Sequence, residues 1–247
     1  MPFLRDDQVY MSFDGGTFTF SGVRPDKLGA TEYTLVGITA DVSGSVSNFA
    51  DILTQALKDA IDGCKDSPRA DNLLVRVSTF NQNIRELHGF DSLRGIDINS
   101  YQKLNPGGTT ALYPATYEMV RAITNYAEQL AKQGDIYDTN AIVFVITDGM
   151  NNVPGQTPAD VKRAIEEATK SEFLESIIVI LIGVNLNDPN VQFALDDFRA
   201  KGGINKFEDI GNFDAKKGAR LAEFISKSSS SQSQALGSGG PSKVLNF

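Results

Sequence analysis

The absences in this chain narrow the field first. Cys64 is its one cysteine and His88 its one histidine, so there is no internal disulfide framework and no thiol or imidazole cluster for zinc or iron–sulfur ligation. A Ser/His/Asp triad needs a histidine near a serine elbow, yet the chain has no G-x-S-x-G, and His88 falls on a predicted edge hairpin as a surface or half-buried residue. Neither a G-x-G-x-x-G fingerprint nor a G-x-x-x-x-G-K-[ST] loop is present, which leaves nucleotide binding unsupported. Lys and Arg number 23 against 31 Asp and Glu, a net charge of −8. With no basic patch to set against that balance, nucleic acid is excluded as a partner. The opening residues "MPFLRDDQVYMSF" carry no apolar leader, and no run approaches the ~18 residues of a membrane span. The expectation is a soluble, cytoplasmic protein with no membrane partner.

What is present is an alternation of short apolar runs with longer amphipathic ones, the pattern of a mostly parallel sheet covered by helices on both faces. "YTLVGITA" (33–40), "LLVRVSTF" (73–80), "NAIVFVIT" (140–147) and "SIIVILIGV" (176–184) read as buried strands, with a weaker one at 204–210. Helices are predicted over 47–64, 111–133, 157–171, 188–202 and 214–228. In the first, Phe49, Ile52, Leu53, Ala56, Leu57, Ala60 and Ile61 share one face. Thr157 and Pro158 open the third as cap and first helical residue. Residues 80–90 read as a hairpin adding one antiparallel edge strand. Cys64, at the end of the first helix, is expected to be half-buried.

Three segments follow from this layout. Residues 1–32 form an N-terminal extension in which Gly15-Gly16 and the Thr-Phe-Thr-Phe alternation predict a hairpin or an added edge strand. Residues 33–227 form one doubly wound α/β domain. Residues 228–247, rich in Ser, Gly and Gln, are predicted to be a flexible tail with a small apolar end.

In such sheets, ligands gather outside the carboxyl ends of the strands. The first strand stops there in Asp41-Val42-Ser43-Gly44-Ser45, and a later one in Thr147-Asp148-Gly149. A Pro-Gly-Gly turn presents Thr109 and Thr110 before the second helix. The donor inventory of two carboxylates and several hydroxyls suits Mg²⁺ or Mn²⁺ completed by water, better than zinc or copper. The same Asp and Ser residues would also serve as caps for the following helix. Asn151 and Asn152 are placed on the rim of this face or assigned to ordinary turn chemistry.

D-x-S-G-S after the first strand, G-G-T before a helix and T-D-G after a later strand together resemble the von Willebrand factor A family with its metal-ion-dependent adhesion site. The resemblance covers roughly residues 33–227. It implies a Rossmann-like doubly wound fold and a metal held by Asp41, Ser43, Ser45, Thr110 and Asp148, with Thr109 as the alternative to Thr110. It also implies a non-catalytic protein-binding module, in which a partner's Asp, Glu or terminal carboxylate completes the metal's coordination. The missing disulfides and leader match intracellular members, so an adaptor or assembly subunit is expected, with an AAA+ ATPase system as one class of partner. Movement of the Thr110 loop or of the last helix would then couple metal occupancy to shape.

Two other classes compete with this reading. A Mg²⁺-dependent phosphoesterase would need basic residues around the metal, and Lys and Arg are absent from 38–50 and 104–120. A self-assembling structural component would use its tail, with "PSKVLNF" of one copy docking near the metal of the next.

Overall fold

The computed structural model describes residues 5–132 and 138–247. The expected last position of the second helix, Gln133, and the first four residues of the N-terminal extension lie outside them. The strands are β1 (Gln8–Phe13), β2 (Phe18–Val23), β3 (Glu32–Asp41), β4 (Leu73–Phe80), β5 (Ile84–Ser92), β6 (Asp138–Thr147), β7 (Ser176–Gly183) and β8 (Lys206–Asp209). The helices are α1 (Ala50–Lys65), α2 (Leu112–Lys132), α3 (Pro158–Lys170), α4 (Pro189–Lys201) and α5 (Ala215–Ser238).

All eight described strands form one sheet in the order β1-β2-β5-β4-β3-β6-β7-β8. The five neighbours β4, β3, β6, β7 and β8 run parallel. β5 is antiparallel to β4, as the predicted hairpin requires. It is not the edge of the sheet, however, because β2 lies beside it and the β1–β2 hairpin continues the sheet by two strands.

Alternation along the strands divides the core in two. Val36, Ile38 and Ala40 of β3 face a cluster with α1 and α5, while Tyr33 and Leu35 face a second cluster with α2, α3 and α4. Gly37 sits in that second face because a Cβ there would come within 2.6 Å of Met119 Sδ, so α2 lies against bare backbone. Cys64 belongs to the α1–α5 side and is fully buried rather than half-buried. Burial raises its thiol pKa to about 12, which makes it inert.

The expected flexible tail is the main correction. α5 runs on through "SKSSSSQSQALGS" to Ser238, where left-handed Gly239 donates its N–H to Ala235 and Leu236 and ends the helix. Ser226, Ser228, Ser229 and Ser233 are buried there. Small side chains let α1 come close, since a Cβ on Gly63 would meet Ser226 Oγ at 2.9 Å. Their hydroxyls are satisfied partly along the helix itself, as where Ser229 Oγ donates to Ile225 O at 2.8 Å. Beyond Gly239 the chain folds back on its own domain. Gln232 Nε2 donates to Lys243 O, Lys206 Nζ donates to Leu245 O, and the Phe247 ring packs edge-on against Phe224.

Candidate metal centre

Each residue of the predicted site lies at the carboxyl end of a central strand or on the loop beside it. Asp41 is the last residue of β3 and Asp148 follows β6, its parallel neighbour. Ser43 and Ser45 lie on the turn between β3 and α1, and Thr110 lies just before α2.

The side chains form a chain of hydrogen bonds across these strand ends. Asp41 accepts from Ser43 N at 2.8 Å on one oxygen and from the Thr147 hydroxyl at 2.7 Å on the other. Ser45 Oγ donates to Asp148 Oδ1 at 2.8 Å. That use of its proton leaves the Ser43 hydroxyl as donor to Ser45 Oγ, 3.1 Å away. Thr110 is 4% exposed, and its Oγ1 lies 3.6 Å from where a Cβ of Gly149 would stand. Thr109 is exposed instead, so Thr110 is the threonine turned inward.

Helix capping does not account for this grouping. The short helical turn that Ser43 opens has no side-chain cap, and neither has α1, whose cap position is Phe49. Both hydroxyls point along the strand ends.

Burial is the largest influence on both carboxyls. It lifts Asp41 to about 6 against the pull of the Thr147 and Ser43 hydrogen bonds, with Asp148 adding a like charge. Burial also raises Asp148, with the Ser45 bond opposing it. Neither carboxylate has a cationic side chain among its influences. The donors are all oxygen, and among the described residues no three His, Cys, Asp or Glu side chains come together. A metal here would therefore be held largely by hydroxyls. That donor set fits a hard divalent cation, whose charge would offset the cost of the two buried carboxylates.

Several residues that brace the site carried no clear mark in the sequence. Thr147 orients Asp41 and also accepts from Gly149 N at 3.1 Å. Asn152 clamps the backbone of Thr110 twice, its Oδ1 accepting from Thr110 N at 2.6 Å and its N donating to Thr110 O at 3.0 Å. Asn151 Oδ1 accepts from Tyr113 N at the start of α2. From the other flank, Asn81 Nδ2 donates to Gly107 O and Gln82 Oε1 accepts from Thr109 N. Turn-favouring Asn and Gln residues are common in loops, so this second use shows only once the loops are brought together.

No protein-family model matches the chain, and no curated protein matches it. Solved structures do resemble it. Proximal thread matrix protein 1 from the mussel byssus is 17% identical over 81% of this chain and 46% of its own, with a TM-score of 0.52. Another structure of that protein, described as having a zinc-occupied MIDAS motif, gives 14% identity over 90% and 48%, TM-score 0.52. A mutant of the PilB minor pilin from Streptococcus sanguinis is 16% identical over 89% of this chain and 66% of its own, TM-score 0.58. The chain thus spans about half to two thirds of the length of these neighbours. The shared architecture, carrying D-x-S-G-S, G-G-T and T-D-G at adjoining strand ends, is that of a von Willebrand factor A domain.

Proposed function

We propose that this protein is a non-catalytic, metal-dependent protein-binding module. Asp41, Ser43, Ser45, Thr110 and Asp148 hold one Mg²⁺ or Mn²⁺, the hydroxyls as direct ligands and the aspartates largely through water. The observation that carries this reading is the pair of carboxylates withdrawn from solvent and linked by serine hydroxyls, with no cationic side chain in attendance. The zinc-occupied MIDAS of the mussel protein supports a divalent cation at a site of this kind.

Three neutral hydroxyl ligands leave a bound metal with net positive character, so it attracts one further anionic oxygen. Because the metal-proximal segments 38–50 and 104–120 supply no Lys or Arg, that oxygen would be held by the metal rather than by a basic rim. This favours a partner's Asp, Glu or terminal carboxylate over a phosphate ester, whose turnover would call for cationic groups and a nucleophile. A cytoplasmic adaptor or assembly subunit, perhaps one of several chains served by an AAA+ ATPase, is the version of this role that the family resemblance favours.

Calorimetric titration with Mg²⁺ and with Mn²⁺, on the wild type and on Asp41→Ala, tests the reading. The expected result is one-site uptake by the wild type only, with partner capture from lysate that is lost in Asp41→Ala and in chelator. No metal uptake by the wild type overturns it.

A further inference from the structure

Ser45 and Asp148 also belong to the wall of a recess of about 450 Å³ that opens beside them. Phe49, Leu186 and Val191 supply its apolar surface, the last two from the β7–α4 loop and the first turn of α4. The volume falls within the range of ligand pockets and exceeds one large side chain.

The recess is held open by its surroundings. Phe49 packs edge-on against Phe213, with centroids 5.6 Å apart. Phe213 is fixed through its N–H to Asn185 Oδ1 at 2.7 Å, and Asn185 adopts a left-handed conformation (φ 53°) that asparagine tolerates. A site held in this way loses little freedom when filled.

Charge decides what fills it. No Lys, Arg or His lines the recess, and its two charged residues, Asp148 and Asp188, are both acidic. Asp188 is engaged in capping α4 through Asn190 N. A second acidic group would be repelled, whereas an apolar side chain meets Phe49, Leu186 and Val191. Apolar surface continues outside it, with Met150 40% exposed on the Asp148 loop and Phe193 75% exposed on α4. Exposure of that kind around a concave site marks a contact surface.

We infer that this recess is a specificity subsite, receiving an apolar side chain that lies one or two positions from the partner's metal-seeking Asp or Glu. The inference rests on the adhesion-site reading above, since the shared wall of Ser45 and Asp148 brings the two positions within reach of neighbouring residues on one extended strand.

Fluorescence anisotropy in Mn²⁺ with three end-capped peptides tests it: an Asp flanked on both sides by leucine, the same Asp flanked by glycine, and the leucine peptide with Asn in place of Asp. The wild type is expected to bind the leucine-flanked acid about tenfold tighter than the glycine-flanked one and the Asn peptide not at all. Methyl NMR signals of Leu186 and Val191 should move only with the leucine-flanked acid. Asn187→Trp, an exposed rim position that fills the mouth, should erase the tenfold preference and leave the glycine-flanked acid unchanged. Val191→Asp, checked for folding by thermal melting, should do the same. Equal affinity of the two acid peptides for the wild type, or an undiminished preference in both variants, overturns the subsite while leaving the adhesion site standing. If Mn²⁺ is taken up but neither acid peptide binds, the adhesion reading falls and the subsite with it.

Discussion

Two sets of buried carboxylates in this molecule are handled in opposite ways. Under the β4–β5 side of the sheet, Arg76 is 1% exposed and Glu118 2%, and they meet through two parallel hydrogen bonds of 2.9 and 2.7 Å. Glu86 joins through Arg76 Nε at 2.8 Å and reaches on to Ser21 of β2. Burial acts to lower the Arg76 pKa, and the charges of Glu118 and Glu86 outweigh it and raise it. At the carboxyl end of the sheet, Asp41 and Asp148 have hydroxyl partners and no cation. The first group is closed within the chain and ties β2, β4, β5 and α2 together. The second is satisfied in hydrogen bonds but not in charge, which distinguishes a site from a strut.

The contrast can be broken from the closed side with the largest effect. Arg76→Met leaves two carboxylates buried without their cation and should cost about 3–5 kcal/mol in urea unfolding. Replacing Arg76, Glu86 and Glu118 together by apolar residues of similar size should restore most of that loss. Unchanged stability in the single variant would mean that water reaches the cluster.

Acid should act on the closed side as well. His88 accepts from the Tyr101 hydroxyl and donates from Nδ1 to Gly89 O. Burial is the main cause that lowers its pKa to about 4, with Arg76 and Arg5 adding to it and the Gly89 bond and Glu86 opposing. A histidine depressed in the folded state contributes fully above its unfolded pKa of about 6.5, and that contribution is lost as pH falls toward 4. The loss is at most about 3 kcal/mol. His88→Gln should flatten this part of the pH–stability curve, as followed by thermal melts between pH 7 and 4.

The open side should answer to metal. At a hundredfold excess over its dissociation constant, Mn²⁺ should stabilise the wild type by about 2.7 kcal/mol and leave Asp41→Ala unmoved. Arg76→Met, where it folds, should retain the metal response, because the two groups are separate. The smallest effect is expected at Asn152, the clamp on Thr110. Asn152→Ala should weaken metal binding by roughly tenfold, and Asn152→Asp, which keeps the acceptor oxygen, should recover part of it.

These two regions were unequally legible in the sequence. Parallel strands covered on both faces are continuous apolar runs, so the abrupt Asp41-Val42-Ser43-Gly44-Ser45 and Thr147-Asp148-Gly149 stand out at their ends. The grouping of these residues with Thr110 at one edge of the sheet followed from that. Arg76 and Glu118 gave no such signal, because a charge inside an apolar strand or an amphipathic helix looks the same whether it meets solvent or a partner 42 residues away. The braces from Asn81, Gln82, Asn151 and Asn152 were hidden for a related reason: each is a turn residue by local chemistry, and its second partner lies on another loop. The β1–β2 hairpin was visible in Gly15-Gly16 and the Thr-Phe alternation, but its place beyond β5 depends on Gly89. A Cβ at Gly89 would come within 1.9 Å of Ser21 O, so it is glycine there that lets β2 lie alongside.

The serine stretch of α5 carries a wider consequence. Composition of this kind signals a spacer because it lacks the bulk to build a core, and between α1 and α5 that lack of bulk is what the packing uses. The separation of the two helices is set by side chains too small to hold them apart. The same segment would therefore tolerate polar exchange among Ser, Ala and Gly, and would resist any larger residue. Its tolerance to substitution is governed by size rather than by hydrophobicity, the reverse of the rule that holds across the rest of the interior.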